Sequence, residues 1–319
     1  MGRMVDGKWT TEWYSPDQEG RFVRNETHFR ARIGSEPDAT HPVASGRYHL
    51  YVAHACPWAH RTLMGRALYG LDAAISVSVV HPDMGDDGWT FIKGDGGTGD
   101  TQFSLSFLRE IYLRAKPDYT GRVTVPVLWD KTAGTIVNNE SREILRMMSR
   151  ELRGLGSGSL QLCPAGMETE VDAVIDDLYN PINNGVYRAG FATTQHAYAE
   201  AVTELFDALA RYEQVLGKQR YLCGANLTEA DLCLFSTLLR FDPVYHYHFK
   251  CNLKRLRDFP NLWGFTLELA QIPQIQQTIF LPAIKQHYFR SHPTVNPTRV
   301  VPLGPEIDWE AAHGRDAMP

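Results

Sequence analysis

The sequence predicts an α/β domain with one mixed sheet followed by an all-α domain. Three observations predict it. Short β-branched or aromatic runs alternate with helix-period segments between residues 46 and 150. A glycine-rich stretch, RGLGSGSLQLCPAG (153–166), then interrupts the pattern. Beyond it only helical periods recur.

Residues 1–45 are polar and aromatic without a clear period, which predicts an arm laid over other elements. GRYHLYVA (46–53) predicts a strand, and 57–69 a helix with Leu63, Ala67 and Leu68 on one side. AAISVSVVH (73–81) is a second, β-branched strand. DMGDDGWTFIKGDGGTGD (83–100) is a long Gly/Asp-rich loop, of a length that usually carries function. SLSFLREIYLRAK (104–116) predicts a helix stopped by Pro117. VTVPVLWD (123–130) and GTIVN (134–138) predict strands, and ESREILRMMSR (140–150) a short helix. The order β-α-β-α-β-β-α makes one α/β layer. The resulting division is an arm (1–45), an α/β domain (46–152), a linker (153–166) and a helical domain (167–290) broken near 190–194, 217–227, 242–259 and 271–274. A tail (291–319) follows, and its opening, SHPTVNPTRVVPLGPEI (291–307), holds too much proline for a helix and predicts an extended path.

With 319 residues, 43% of them apolar, the chain can bury a full core in two domains. Its formal charge of −5 leaves no basic footprint for nucleic acid or an anionic membrane surface. It has no run of 18 apolar residues, and its N-terminal stretch carries acids without an apolar core, unlike a secretory signal. Five dispersed cysteines (56, 163, 223, 233, 251) with no CxxC argue against a disulfide framework and for a reducing, cytoplasmic compartment.

The chemistry centres on YVAHACPWAHR (51–61). Cys56 leaves the first strand, and Pro57 takes the first helical position, where its missing N–H costs nothing. A sulfur placed there meets unsatisfied N–H groups and the positive end of the helix dipole, which favour the thiolate. A single cysteine is more often a small buried hydrophobe, but the Cys-Pro helix start reverses that balance. Position 59, where a resolving thiol would stand, is alanine, so an external thiol must resolve any mixed disulfide. Glutathione is the expected one. Val125-Pro126, inside TVPVLWD, predicts a cis peptide whose backbone pairs with an extended thiol peptide. In NNESREIL, Glu140 and the helix opened by Ser141 can fix an amino-acid terminus. HYHFKC (246–251) offers two histidines and a cysteine but no second ligand cluster, so no metal is expected.

The order CPWA, TVP, NES in an α/β domain followed by helices resembles the glutathione transferase superfamily, on its cysteine branch. LTEADLCLF (227–235) is similar to that family's buried capping box, with Thr228 and Asp231 as its members. GWTF (88–91), GRVTVPVLWDK (121–131), NNGVYRAGFA (184–192), LRFDPVYHYHFKCN (239–252), KQHYFRSHP (285–293) and NPTRVVPLGP (296–305) resemble the glutathionyl-hydroquinone reductases, or Xi class. The resemblance implies a thioredoxin-like N-terminal domain, a helical glutathione-transferase C-terminal domain and a homodimer. It implies Cys56 as nucleophile toward a glutathionyl sulfur. Trp89, Arg122, Val125, Pro126, Glu140 and Ser141 would hold glutathione as co-substrate. Because Trp89 sits in the Gly/Asp-rich loop, it is expected to close over the bound glutathione. Tyr187 and Tyr288 would act in catalysis and Tyr245 in binding the hydroquinone. Phe289 stands where the family pattern has another tyrosine. Two other readings share these residues: an omega-like thioltransferase or dehydroascorbate reductase, and a non-catalytic transferase-like scaffold.

Overall fold

The computed structural model describes residues 2–36 and 38–319. They form two compact units. The first comprises residues up to Trp13, Asn25–Leu160 and Phe280–Ser291; the second comprises Tyr14–Arg24, Gln161–Ile279 and His292–Pro319.

The first unit begins with a small hairpin, β1 (Arg3–Val5) against β2 (Lys8–Thr10). Its two-residue loop, Asp6-Gly7, has φ of +46° and +75°, the double left-handed turn that an Asp-Gly pair adopts readily. The sheet follows: β3 (Tyr48–Val52), α1 (Pro57–Leu68), β4 (Ile75–Val79), α2 (Leu108–Ala115), β5 (Val127–Asp130), β6 (Thr135–Asn138) and α3 (Ser141–Ser149). The strand order is β4-β3-β5-β6, with β3 parallel to β4 and antiparallel to β5. This is the mixed sheet expected from the sequence. All five residues of β3 are buried, as a central strand requires. α1 packs on α3, and Gly65 permits the approach, because a Cβ there would lie 2.5 Å from a Leu145 methyl.

Two expected boundaries move for local reasons. The helix expected over 104–116 starts at Leu108, because Glu110 Oε2 accepts from the amides of Ser106 (3.0 Å) and Phe107 (2.8 Å) and so caps it there. The strand expected over 123–130 starts at Val127, after Pro126, which has no amide for the ladder.

The second unit holds α4 (Glu168–Leu178), α5 (Gly185–Gly190), α6 (Gln195–Leu216), α7 (Glu229–Leu238), α8 (His246–His248), α9 (Pro260–Gln271) and α10 (Pro273–Gln276). The capping box forms as expected: Asp231 Oδ2 accepts from the Thr228 amide (2.7 Å) and hydroxyl (2.8 Å), and Oδ1 accepts from the Leu222 amide (2.8 Å). Two segments widen into π-helix, Tyr179–Asn183 and Phe241–Tyr245. Each contains a proline, Pro181 or Pro243, whose missing amide and bulky ring break the regular ladder. Residues 299–307 carry no regular structure, and Leu303 is fully exposed. Further on, Arg315 is buried and donates to the carbonyls of Leu216, Gln219 and Arg220. The last helix, α11 (Leu281–Ser291), belongs to the first unit. No helix among the described residues is long and apolar enough to cross a membrane.

Behind the strand that leads to Cys56, the His49 ring is fully buried between the hydroxyls of Ser76 (2.7 Å) and Ser78 (2.9 Å). Burial depresses its pKa to about 4 from the ordinary 6.5. Below pH 6.5 the unfolded chain therefore binds a proton that the folded chain refuses. Stability is expected to hold above pH 6.5 and to fall by about 3 kcal/mol between pH 6.5 and 4. Urea midpoints across that range check it, and His49→Gln should remove this part of the acid limb.

Candidate active site

Cys56 is the N-cap of α1, in extended backbone, with Pro57 next. The Ala59 amide donates to its Sγ at 3.5 Å, and the thiol lies 3.6 Å from the Val125 carbonyl oxygen. These contacts favour opposite protonation states. The carbonyl accepts only from S–H, whereas the amide and the helix dipole stabilise the thiolate. Cys56 is half-buried. His60 and Arg61 both turn into buried positions, the Arg61 guanidinium 4.5 Å from the Trp58 ring.

Val125-Pro126 is a cis peptide, as expected. Glu140 is the N-cap of α3 and Ser141 its first residue. The Glu140 carboxylate accepts from the Arg142 amide and the Ser141 hydroxyl, both at 3.4 Å, and from Thr27 at 3.5 Å. Tyr112, which sequence reasoning missed, ties these pieces together. Its hydroxyl donates to the Thr124 carbonyl (2.8 Å) and accepts from Asn139 Nδ2 (3.1 Å), joining the neighbours of Val125 and Glu140. Burial raises its pKa, so it stays a neutral brace.

Trp89 is already packed, only 6% exposed, with its ring stacked on His287 at 4.9 Å. The Arg122 guanidinium is held by the arm: Nη1 donates to the carbonyls of Gly2 (3.2 Å) and Glu12 (2.7 Å), beside Trp13.

The three tyrosines divide between the units. Tyr288 lies on α11, in the unit that holds Cys56, and is buried. Tyr187, on α5, and Tyr245, at the end of the second π segment, belong to the other unit, their rings 6.1 Å apart. Tyr245 is completely buried and stacks on Phe249. The Arg24 guanidinium lies 5.1 Å from the Tyr187 ring, positioned by its bond to Asn184 Oδ1 (2.9 Å). In HYHFKC, His248 pairs with His292 at 3.0 Å, and burial raises the Cys251 pKa. Among the described residues no three His, Cys, Asp or Glu side chains are grouped to hold a metal.

A thiol at a helix start, 3.6 Å from the carbonyl that precedes a cis-proline, is suited to thiol exchange with a peptide thiol. Comparison with known proteins agrees. Residues 55–151 match the family model for the glutathione S-transferase N-terminal domain, and residues 195–266 that for its C-terminal domain. The glutathionyl-hydroquinone reductase YqjG of Escherichia coli is 49% identical to this chain, over 99% of each protein. The structure of a Xi class GST from Natrialba magadii superposes with a TM-score of 0.94 at 51% identity, covering 100% of this chain and 97% of that one. The glutathione-bound structure of YqjG gives 0.90 at 47% identity, covering 99% of each. The chain belongs to the glutathione transferase superfamily and, within it, to the Xi-class family of glutathionyl-hydroquinone reductases.

Proposed function

We propose that this enzyme reduces glutathionyl-hydroquinones to hydroquinones with glutathione. The observation that carries the reading is Cys56 at a helix start, its Sγ 3.5 Å from the Ala59 amide, with alanine where a resolving thiol would be. The Cys56 thiolate attacks the sulfur bound to the aromatic ring. The carbon–sulfur bond breaks, the ring carbon takes a proton, and a Cys56–glutathione disulfide forms. A second glutathione thiolate attacks that disulfide, releasing glutathione disulfide and regenerating the Cys56 thiolate. The net change consumes one glutathione per hydroquinone released.

Trp89, Arg122, Val125, Pro126, Glu140 and Ser141 hold the glutathionyl moiety. An extended peptide meets the backbone at Val125, and a terminal ammonium meets the Glu140 carboxylate. Tyr187 and Tyr288 supply the phenolic donors for the hydroquinone oxygens and the ring proton, and Tyr245 binds beside Tyr187. Two π segments lie next to Tyr187 and Tyr245, and such widenings recur at functional sites, which supports a role beyond packing. The unlinked cysteines support a cytoplasmic setting, and the family likeness supports a homodimer.

The test is turnover of a glutathionyl-hydroquinone beside dehydroascorbate. A site built to hydrogen-bond a phenol is expected to prefer the first by at least about a hundredfold in kcat/KM. The reverse preference would establish the omega-like thioltransferase instead.

A further inference from the structure

We infer that His287 is a positioning residue that presets Trp89 for glutathione; this rests on the reading in which Trp89 contacts that ligand. The loop over 83–100 is rich in Gly and Asp and is held partly by short turns of its own, Gly85–Gly88 and Gly94–Gly97. The C-terminal half of α11 adds a row of contacts along it. His287 Nδ1 bonds the Pro82 carbonyl at 2.7 Å, and the Met84 amide donates to Ser291 Oγ at 2.9 Å. Gln286 Nε2 donates to Asp83 (3.2 Å) and Asp95 (2.9 Å), and Arg290 pairs with Asp83 at 3.2 Å. Positions 286, 287, 290 and 291 share one helix face, so α11 acts as a clamp along the loop.

Within this clamp His287 reaches the indole, its ring stacked on Trp89 with 20° between the planes. A carbonyl oxygen can only accept, so Nδ1 carries the proton and the ring cannot flip without losing that bond. The Trp89 backbone is fixed separately, its carbonyl accepting from the Leu108 amide at 3.0 Å. The remaining freedom of Trp89 is the rotation of its ring, and the His287 face removes it. A preset indole spares the ligand the cost of ordering it. Tyr288 follows His287 directly, so one helix supports the loop beside the glutathione and carries a phenol for the aromatic group.

Two substitutions separate the ring from the hydrogen bond. His287→Phe keeps a stacking ring and removes the donor; His287→Asn keeps a donor and removes the ring. With glutathione itself as the probe, His287→Asn should raise Kd and KM about tenfold with kcat within about twofold, and His287→Phe should stay within about threefold. In a Trp89→Ala background His287→Asn should add nothing further, since both then remove the same preset ring. Circular dichroism and the rate of Cys56 alkylation report whether each variant is folded. If Trp89→Ala alone leaves the glutathione affinity unchanged, the reading of Trp89 fails. If Trp89→Ala weakens binding while folded His287→Asn does not, or the two losses add, the inference about His287 fails alone. Should His287→Asn not fold, His287→Phe decides: a loss near tenfold there overturns the stacking role, and a loss within threefold upholds it.

Discussion

Cys56→Ser is expected to lose reductase turnover by at least about a thousandfold, because a helix start lowers a thiol pKa into the working range but leaves a serine hydroxyl un-ionised. Glutathione affinity should change little, since the proposed anchors lie at Trp89, Val125 and the start of α3 rather than on the sulfur. The informative measurements are single-turnover release of hydroquinone and a calorimetric titration with glutathione. After treatment with glutathione disulfide, mass spectrometry should find one adduct on Cys56 of the unaltered enzyme and none at that position in the variant. Substantial turnover by the serine variant would remove Cys56 as the nucleophile. Absence of any adduct on the unaltered enzyme would favour a scaffold.

The second large effect concerns the phenols. Tyr187→Phe and Tyr288→Phe each keep a ring and delete one hydroxyl. If those hydroxyls orient or protonate the hydroquinone, the reductase rate should fall by roughly ten- to ten-thousandfold, the range of positioned acid–base groups. Formation of the Cys56–glutathione disulfide from glutathione disulfide needs no proton on carbon and should barely change. Equal losses in both assays would mean that the tyrosines only support packing. No loss in either would leave a thioltransferase. Tyr245→Phe is the harder case. Its ring is completely buried on Phe249, so a stability loss must be subtracted before its rate is read.

What could be read in advance was what neighbouring residues decide. Cys56 at a strand exit with Pro57 at the first helical position, Val125 before Pro126, and Glu140 before a helix-opening Ser141 are local arrangements, and each is found in the fold. The mixed sheet followed from alternation of periods, and the Thr228–Asp231 box from the likeness of LTEADLCLF to the family's capping box. The hairpin at Asp6-Gly7 escaped although its turn pair was visible, because strands of three residues are too short to show alternation. His287 escaped for a different reason: its partner Pro82 lies 205 residues earlier, and no local pattern reports such a bond. The depth of Tyr245 was equally hidden, since periodicity names a face of a helix and not how much packs over it.

The assignment of residues 14–24 to the helical unit and of 280–291 to the cysteine unit has a consequence for how the protein is made. A ribosome delivers the chain from its N-terminus at about 5–20 residues per second, so the sheet and Cys56 emerge on the order of ten seconds before α11. Throughout that interval the nascent loop around Trp89 has no clamp, and the early segment 14–24 has no helices to lie on. The thiol therefore exists before the helix that clamps the Trp89 loop does. The two units are completed together, late in translation. Cutting at the glycine-rich linker would not release two portable modules, because each half would carry a piece of the other and lack a piece of itself.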